Sequence, residues 1–460
     1  MRPPDVVLFM TDQQRFDQIG SVGPSVFETP ALDALATQGV TFECAYSPST
    51  TCTPARTALL TGRQPHRLPT QINGLALREG SWTLARALQA AGYQTALVGK
   101  MHFAPIHADH GFEVMRTCEH LSASAIVPRP DGHPDLDDYH EWLLEQGVEE
   151  YRSLPSSGEP IQDGGSGPFP YEMSYHPTAW VEREAGRVLD ARDPDRPMFL
   201  VISFPHPHAP LDPPEPFASM YDPDDIELPT DGFEVNDRLP DAFIAALTTA
   251  APPYRPRRVD PARPARFRRR LTKTRALVRQ IDDALGRLVE RTPLDRTLVF
   301  FTSDHGDYAG HRGLVQKVPW IPFDDLLRVP LVVAGPGVVA NCRVTSLVQS
   351  FDFVPTVCDV AIPTLDTTEM DAETLWPFLA GDGRTDDRWA VFGTRDGWPG
   401  TRHGTLKYFR HRPSGQGVLF DLESDPGETT NLLGDEAYRD RALDLAVGLQ
   451  LFLDRPPVEV

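Results

Sequence analysis

Val6-Val7-Leu8-Phe9-Met10 runs straight into Thr11-Asp12-Gln13-Gln14, five apolar residues followed at once by four polar ones. The run has the length and the β-branched and aromatic content of a buried strand. Three more stretches share this feature. Residues 95–99 are followed by Lys100-Met101-His102, residues 198–204 by Pro205-His206-Pro207-His208, and residues 298–302 by Ser303-Asp304-His305-Gly306. Helical patterns lie between them at 30–38, 82–91, 177–191 and 275–291. Strands alternating with helices predict an α/β domain, a mostly parallel sheet covered by helices on both faces. In such sheets ligands sit outside the carboxyl ends of the strands. The polar groups past four strand ends are therefore expected to converge on one crevice.

Each group has a plainer reading taken alone. Asp12 suits a helix cap, Asp304-His305-Gly306 a turn, His206 and His208 a proline-rich loop, and Lys100 with His102 a solvated strand end. Their recurrence at four strand ends favours a shared site. Asp12, Asp304 and His305, with an amide oxygen from Gln13, make a donor set for a hard or borderline divalent cation. Lys100, Lys317 and Arg56 would supply positive charge for an anionic group. Only 4 of the 44 basic residues are lysines, and two of them stand beside these motifs. A compact ammonium donor is thus expected where the chain otherwise uses the planar guanidinium fork.

Ser49-Thr50-Thr51-Cys52-Thr53-Pro54-Ala55-Arg56 leads into a helical run that Gly62 should end. Cys52 then falls at or just before a helix N-terminus, where free N–H groups and the helix dipole favour negative charge. A thiol there is open to three readings: an activated nucleophile, a modified residue, or a buried apolar side chain.

At 460 residues, with 40% apolar and 24% charged, the composition is that of a folded globular protein with a sizeable core. A net charge of −21 argues against a nucleic-acid partner, which would need a basic face. No segment approaches the roughly 20 apolar residues that span a bilayer, so no membrane partner is expected. The first apolar run is short for a signal peptide, and the five scattered cysteines do not form a disulfide framework. A cytoplasmic location is expected, with Cys44, Cys118, Cys342 and Cys358 as ordinary buried thiols.

Several of these stretches together resemble the sulfatase family, formylglycine-dependent enzymes of the alkaline phosphatase-like superfamily. Residues 52–62 match the segment in which the family's cysteine is oxidised, with Pro54 and Arg56 in register. Gly92-Tyr93-Gln94-Thr95-Ala96-Leu97-Val98-Gly99-Lys100-Met101-His102 matches its second signature. Pro207-His208-Ala209-Pro210 resembles its Pro-His-x-Pro loop. Thr302-Ser303-Asp304-His305-Gly306 through Lys317 resembles its second metal and lysine segment. Phe420-Asp421-Leu422, Asp425-Pro426 and Asn431-Leu432 resemble its C-terminal stretch. The likeness runs from about residue 5 to 433. Thr50 stands where a smaller residue is usual. Asp12-Gln13 replaces a common pair of aspartates, which leaves the metal open between calcium, first in expectation, and manganese or magnesium.

The resemblance implies an alkaline phosphatase-like catalytic domain over 1–385 and a small C-terminal antiparallel sheet with one helix over 386–460. It implies that Cys52 is converted to formylglycine by a formylglycine-generating enzyme, and that Asp12, Gln13, residue 52, Asp304 and His305 hold one divalent cation. Arg56 and Lys100 would favour the nucleophile's oxyanion. His208 and Lys317 would bind the ester oxygens and assist the leaving alcohol, and His102 would take the proton that releases sulfate. The expected substrate is a small-molecule or sugar sulfate ester. A phosphonate monoester or phosphodiester hydrolase with the same machinery is the alternative, and a non-catalytic binding protein whose Cys52 stays a thiol is a third.

The rest of the chain says less. Residues 119–176 and 205–270 read as long excursions over the mouth of the site. Asp135, Asp137 and Asp138 read as a solvated acidic turn. Arg263, Arg266, Arg268, Arg269 and Arg270 read as a solvated helix-flanking face. His66, His311 and Arg312 are candidates to border the pocket. Near the C-terminus, strands are expected at 389–394, 406–410 and 418–422, and a helix at 441–452.

Overall fold

Strand β1 (Asp5–Asp12) is buried along its whole length. Its side chains alternate between two cores. Val6, Leu8 and Met10 pack with Leu59, Leu88 and Val354 on one face, and Val7 and Phe9 with Leu35, Trp180 and Leu285 on the other. A strand apolar on both faces needs a helical layer on each. The helices Cys52–Thr61, Leu84–Ala90 and Phe353–Ala361 form one layer, and Pro30–Thr37, Pro177–Asp190 and Pro264–Val289 the other. This computed structural model describes all residues except 1, 24–25, 120–135, 149–168, 229–238, 250–263, 384–386, 394–396 and 459–460.

The remaining strands of the main sheet are β2 (Gly39–Tyr46), β3 (Gln94–Gly99), β4 (Val114–Thr117), β5 (Met198–Pro207), β6 (Thr297–Ser303), β7 (Arg328–Ala334), β8 (Cys342–Val344) and β9 (Val348–Gln349). Their order is β4-β3-β5-β1-β6-β7-β2-β8, with β9 also on β2. Strand β7 is antiparallel to both its neighbours and every other pairing is parallel, so β7 alone among these strands runs against the rest.

Register brings the predicted site together. The β1–β5 pairing slips between Met10 and Asp12, which sets Asp12 opposite Pro207. Thr11 lies opposite Ser303, and Gly99 opposite Ser203. The carboxyl ends of β3, β5, β1 and β6 are therefore side by side. At Gly99 the backbone turns with φ of +106°, and a Cβ would fall 1.8 Å from the Ser203 carbonyl oxygen, so only glycine lets Lys100 turn in here.

A second sheet follows near the C-terminus: β10 (Trp389–Phe392), β11 (Gly400–His403), β12 (Leu406–Arg410) and β13 (Gly417–Asp421), an antiparallel meander. Phe392, Phe409 and Phe420 on one face pack with Phe243 and Phe323. Leu406, Tyr408 and Leu419 on the other face pack with Leu445, Leu449 and Leu453 of the helix Arg439–Leu453. The residues around the expected boundary, 384–386, and the end of the expected strand at 394 lie outside the described residues. No helix among the described residues is long and apolar enough to cross a membrane.

Candidate active site

The helix Cys52–Thr61 starts at the thiol itself, two residues before Pro54, and Gly62 ends it in the left-handed region at φ of +63°. Cys52 is fully buried. Lys317 Nζ lies 2.8 Å and His305 Nε2 3.2 Å from its sulfur. Burial and Asp12 push this thiol's pKa up. Lys317, His305 and a hydrogen bond from His102 outweigh them and bring it well below the ordinary thiol value. Burial alone prevails at Cys44, Cys118 and Cys358, whose pKa values are raised, that of Cys358 to about 12. Cys342 is half-buried, so the expectation of a buried thiol fails there because it sits on the short outer strand β8. The pKa of Cys52 is thus lowered where those of Cys44, Cys118 and Cys358 are raised.

The carboxylates are organised around Arg56. Its guanidinium reaches Asp12 Oδ2 at 3.0 Å and Asp304 Oδ2 at 2.8 Å, and also donates to Ser203 Oγ and the Lys100 carbonyl. Lys100 Nζ meets the same Asp12 oxygen at 2.7 Å. Arg56 and Lys100 direct their hydrogen bonds to the carboxylates, and their charge acts on Cys52 without a hydrogen bond to it. Burial pushes the Asp12 carboxyl up, but Lys100, His208, Arg56 and Lys317 hold it well below the usual carboxylate range.

The donor atoms left over face one another. Asp12 Oδ1 and Gln13 Oε1 are buried without a hydrogen-bond partner. His305 Nδ1 is 2.8 Å from the Gly306 carbonyl, which turns Nε2 toward Cys52 and the site. Ligand atoms of Asp12, Cys52, Asp304 and His305 all lie within 4.8 Å of one another. The Asp12–His305 and Asp304–His305 approaches, 4.0 and 3.8 Å, are too long for hydrogen bonds and suit two donors flanking an ion. The residues thus fit a divalent cation.

Asp307, which the sequence did not single out, holds Gln13 in place. It accepts from Gln13 Nε2 and from the backbone N–H groups of Ala309 and Gln316. Its position three residues past Asp304 was the available signal. His102 is half-buried with φ of +62°. His208, also half-buried, has Nδ1 2.7 Å from the Ala209 carbonyl and acts on Asp12 through its charge.

Other candidates fall elsewhere. His206 is buried against His176, ring centroids 4.7 Å apart, and near Asp212. His66 meets the Phe452 carbonyl of the C-terminal helix at 2.8 Å. His311 and Arg312 line a separate cavity of about 440 Å³ with Arg15, Arg402 and Glu428. The acidic turn is not solvated as expected: Asp137 is buried and caps the helix Asp138–Glu145, and Asp138 binds Thr117 and Arg116, while Asp135 lies outside the described residues. In the arginine cluster, Arg270 is buried beside Asp307, Arg268 bonds the Ile226 carbonyl, and Arg263 is outside the described residues.

Comparison with known proteins agrees with this arrangement. The sulfatase family model matches residues 4–362. The chain is 29% identical to an arylsulfatase of Clostridium perfringens over 95% of this chain and 92% of that protein. It is 30% identical to a choline-sulfatase of Rhizobium meliloti over 93% of this chain and 82% of that one. The phosphonate monoester hydrolase of Agrobacterium radiobacter superposes with a TM-score of 0.77 at 25% identity, covering 98% of this chain and 95% of that structure. With its alkaline phosphatase-like sheet and the buried thiol, carboxylates and imidazole at its rim, the chain belongs to the sulfatase family, enzymes that hydrolyse sulfuric esters.

Proposed function

We propose that residue 52, matured to formylglycine by a formylglycine-generating enzyme, is the nucleophile that this sulfatase uses on a small-molecule or sugar sulfate ester. The observation that carries the reading is the buried thiol at a helix N-terminus with Lys317 and His305 on it and its pKa brought well below the ordinary value. A hydrated aldehyde there offers two hydroxyls, one to attack sulfur and one to expel sulfate, which neither a serine nor a cysteine can do. Asp12, Gln13, Asp304 and His305 would hold the cation. Calcium is the ion proposed first, and the mainly oxygen donor set suits manganese and magnesium as well. When bound, such an ion polarises the oxygen of the nucleophile.

The chain's own residues do the rest. Arg56 and Lys100 fix the carboxylates, so that the cation's donors are in place beforehand. Lys317, 2.8 Å from the position of the nucleophile, and His208 stabilise the ester oxygens and assist the departing alcohol. His102, which helps lower the pKa of the thiol at residue 52, is the proton acceptor for the release of sulfate. The free thiols at Cys44, Cys118, Cys342 and Cys358 are in keeping with a reducing, cytoplasmic setting.

The likeness to a phosphonate monoester hydrolase supports a second reading, in which a phosphonate monoester or phosphodiester is the better substrate. Parallel assays of aryl sulfate, phosphodiester and phosphonate monoester are expected to give the highest kcat/KM for the sulfate. In the same assay Cys52→Ala should abolish turnover with the fold intact, and chelation should silence the wild type until calcium is restored. Undiminished turnover in Cys52→Ala would defeat the assignment. Intact-protein mass spectrometry of protein made with the maturing enzyme should show the thiol replaced by an aldehyde.

A further inference from the structure

His102 is held differently from most catalytic imidazoles. A general base is commonly oriented by a third group on its ring. Here His102 Nδ1 is buried with no hydrogen-bond partner among the described residues, so none of them sets the ring's aim from that side. Its backbone is held instead. The N–H groups of Met101 and His102 both donate to Glu119 Oε1, each at 2.8 Å. Successive N–H groups turned to one side form a concavity suited to an anion. His102 has φ of +62°, a region that residues with a Cβ occupy only when their surroundings impose it.

Glu119 is itself fixed. It lies two residues past β4 and is 6% exposed. The preceding Cys118 N–H reaches the Gly99 carbonyl at 3.1 Å, tying this segment to the end of β3. The Glu119 N–H donates to Asp137 Oδ2, while Asp137 Oδ1 accepts from His140 N at 2.8 Å and starts the next helix. No described residue forms a hydrogen bond with Glu119 Oε2. The side chain's hydrogen bonds therefore all go to the turn that carries His102.

We infer that Glu119 is a positioning residue for His102: its carboxylate clamps the Met101–His102 backbone in the left-handed turn that aims the imidazole at residue 52. The inference rests on the reading of His102 as the proton acceptor beside that residue.

Three variants test it: Glu119→Ala, Glu119→Asp, one methylene short, and Glu119→Gln, which keeps an oxygen acceptor at the same reach. Misplacement of a catalytic group by about 1 Å costs on the order of 10²-fold in rate, and a loss of that size in kcat is expected for Glu119→Ala. Because binding groups are untouched, KM should stay within about threefold. Glu119→Asp should fall between, and Glu119→Gln should recover most of kcat. Hydrogen–deuterium exchange gives a readout independent of turnover: the Met101 and His102 amides should exchange faster in Glu119→Ala and stay protected in Glu119→Gln. Wild-type kcat in both Glu119→Ala and Glu119→Asp would overturn the inference. So would a Glu119→Gln variant as slow as Glu119→Ala with its amides still protected. If Glu119→Ala does not fold, the Asp and Gln variants decide by the same criteria. Cys52→Ala and His102→Ala in the same assay separate the two claims. Turnover in either defeats the underlying reading, whereas two inactive controls beside fully active Glu119 variants defeat only the clamp.

Discussion

Arg56 carries more of the site than its place in a short motif announces. The spacing Cys52–Pro54–Arg56 is readable in the sequence because all three lie on one helical turn and a half. Its partners are not, because Asp12 lies 44 and Asp304 248 residues away and only the register of β1 and β6 brings them to one guanidinium. Sequence therefore offered Arg56 as a charge for the substrate, and the fold uses it as a bracket for two carboxylates. Both ion pairs are fully buried. Removing one partner of a buried pair strands the other in a medium that cannot solvate it. Arg56→Ala is expected to lower the unfolding free energy by about 3–5 kcal/mol, read by urea denaturation. Arg56→Lys should also be inactive, since a point ammonium cannot reach both carboxylates as the planar fork does. A stable, active Arg56→Lys would show that the bracket is dispensable.

At the scale of elements, the legible strands were those apolar on both faces: β1, β3, β5 and β6 were all foreshadowed by short apolar runs. Strand β7 was missed for a physical reason. It contains Pro330, which argues against a central strand. The structure tolerates it because the β2–β7 register shifts between Phe42 and Ala45, and the β6–β7 pairing ends at Leu331, so no ladder position falls on the proline. The helix Pro264–Val289 was read only from 275, since its first turns look like a charged surface. Yet this helix holds another by its start: Asp282 accepts the N–H groups of Ala31 and Leu32 at 2.9 and 2.8 Å, in the first turn of Pro30–Thr37. Burial outweighs these bonds and pushes its carboxyl up to about 6. In the unfolded chain the value is about 3.9, so between these two pH values the folded state keeps a proton that the unfolded state has lost. The contribution of Asp282 to stability is thus full at low pH and lost as pH rises through about 6. The Tm advantage of the wild type over Asp282→Asn is expected to narrow between about pH 4 and 6.5. A constant difference would mean that Asp282 titrates normally.

At the scale of the whole molecule, the two sheets are joined by a polar knot that no local pattern could reveal. Lys407, one of only four lysines, was left unassigned by the sequence, although its neighbours on β12 were read as a strand. Its side chain is fully buried, with Nζ 2.7 Å from Asp324 Oδ1 and 2.8 Å from Glu428 Oε1. Asp324 comes from the short helix before β7, and its own N–H donates to Glu428 Oε2 at 2.7 Å. Tyr46 at the end of β2 also donates to Asp324, and Arg402 of β11 donates to the Tyr46 hydroxyl. Two carboxylates thus share the Lys407 ammonium where the second sheet meets the first, with the guanidinium of Arg402 3.9 Å from Asp324 Oδ2 and that of Arg312 3.8 Å from Glu428 Oε2. Burial, and then Asp324, push the Glu428 carboxyl up to about 7 against the pull of Lys407 and Arg312. Lys407→Met keeps the apolar stem and removes the ammonium, leaving Asp324 and Glu428 only the longer ion pairs with Arg402 and Arg312. Breaking a buried pair in this way costs about 3–5 kcal/mol, and a loss of that size is expected in urea unfolding. Adding Asp324→Asn and Glu428→Gln should return part of it, because amides at these two positions leave no carboxylate to strand. A triple variant no more stable than Lys407→Met would place the damage in lost packing of the lysine stem instead of in the two carboxylates.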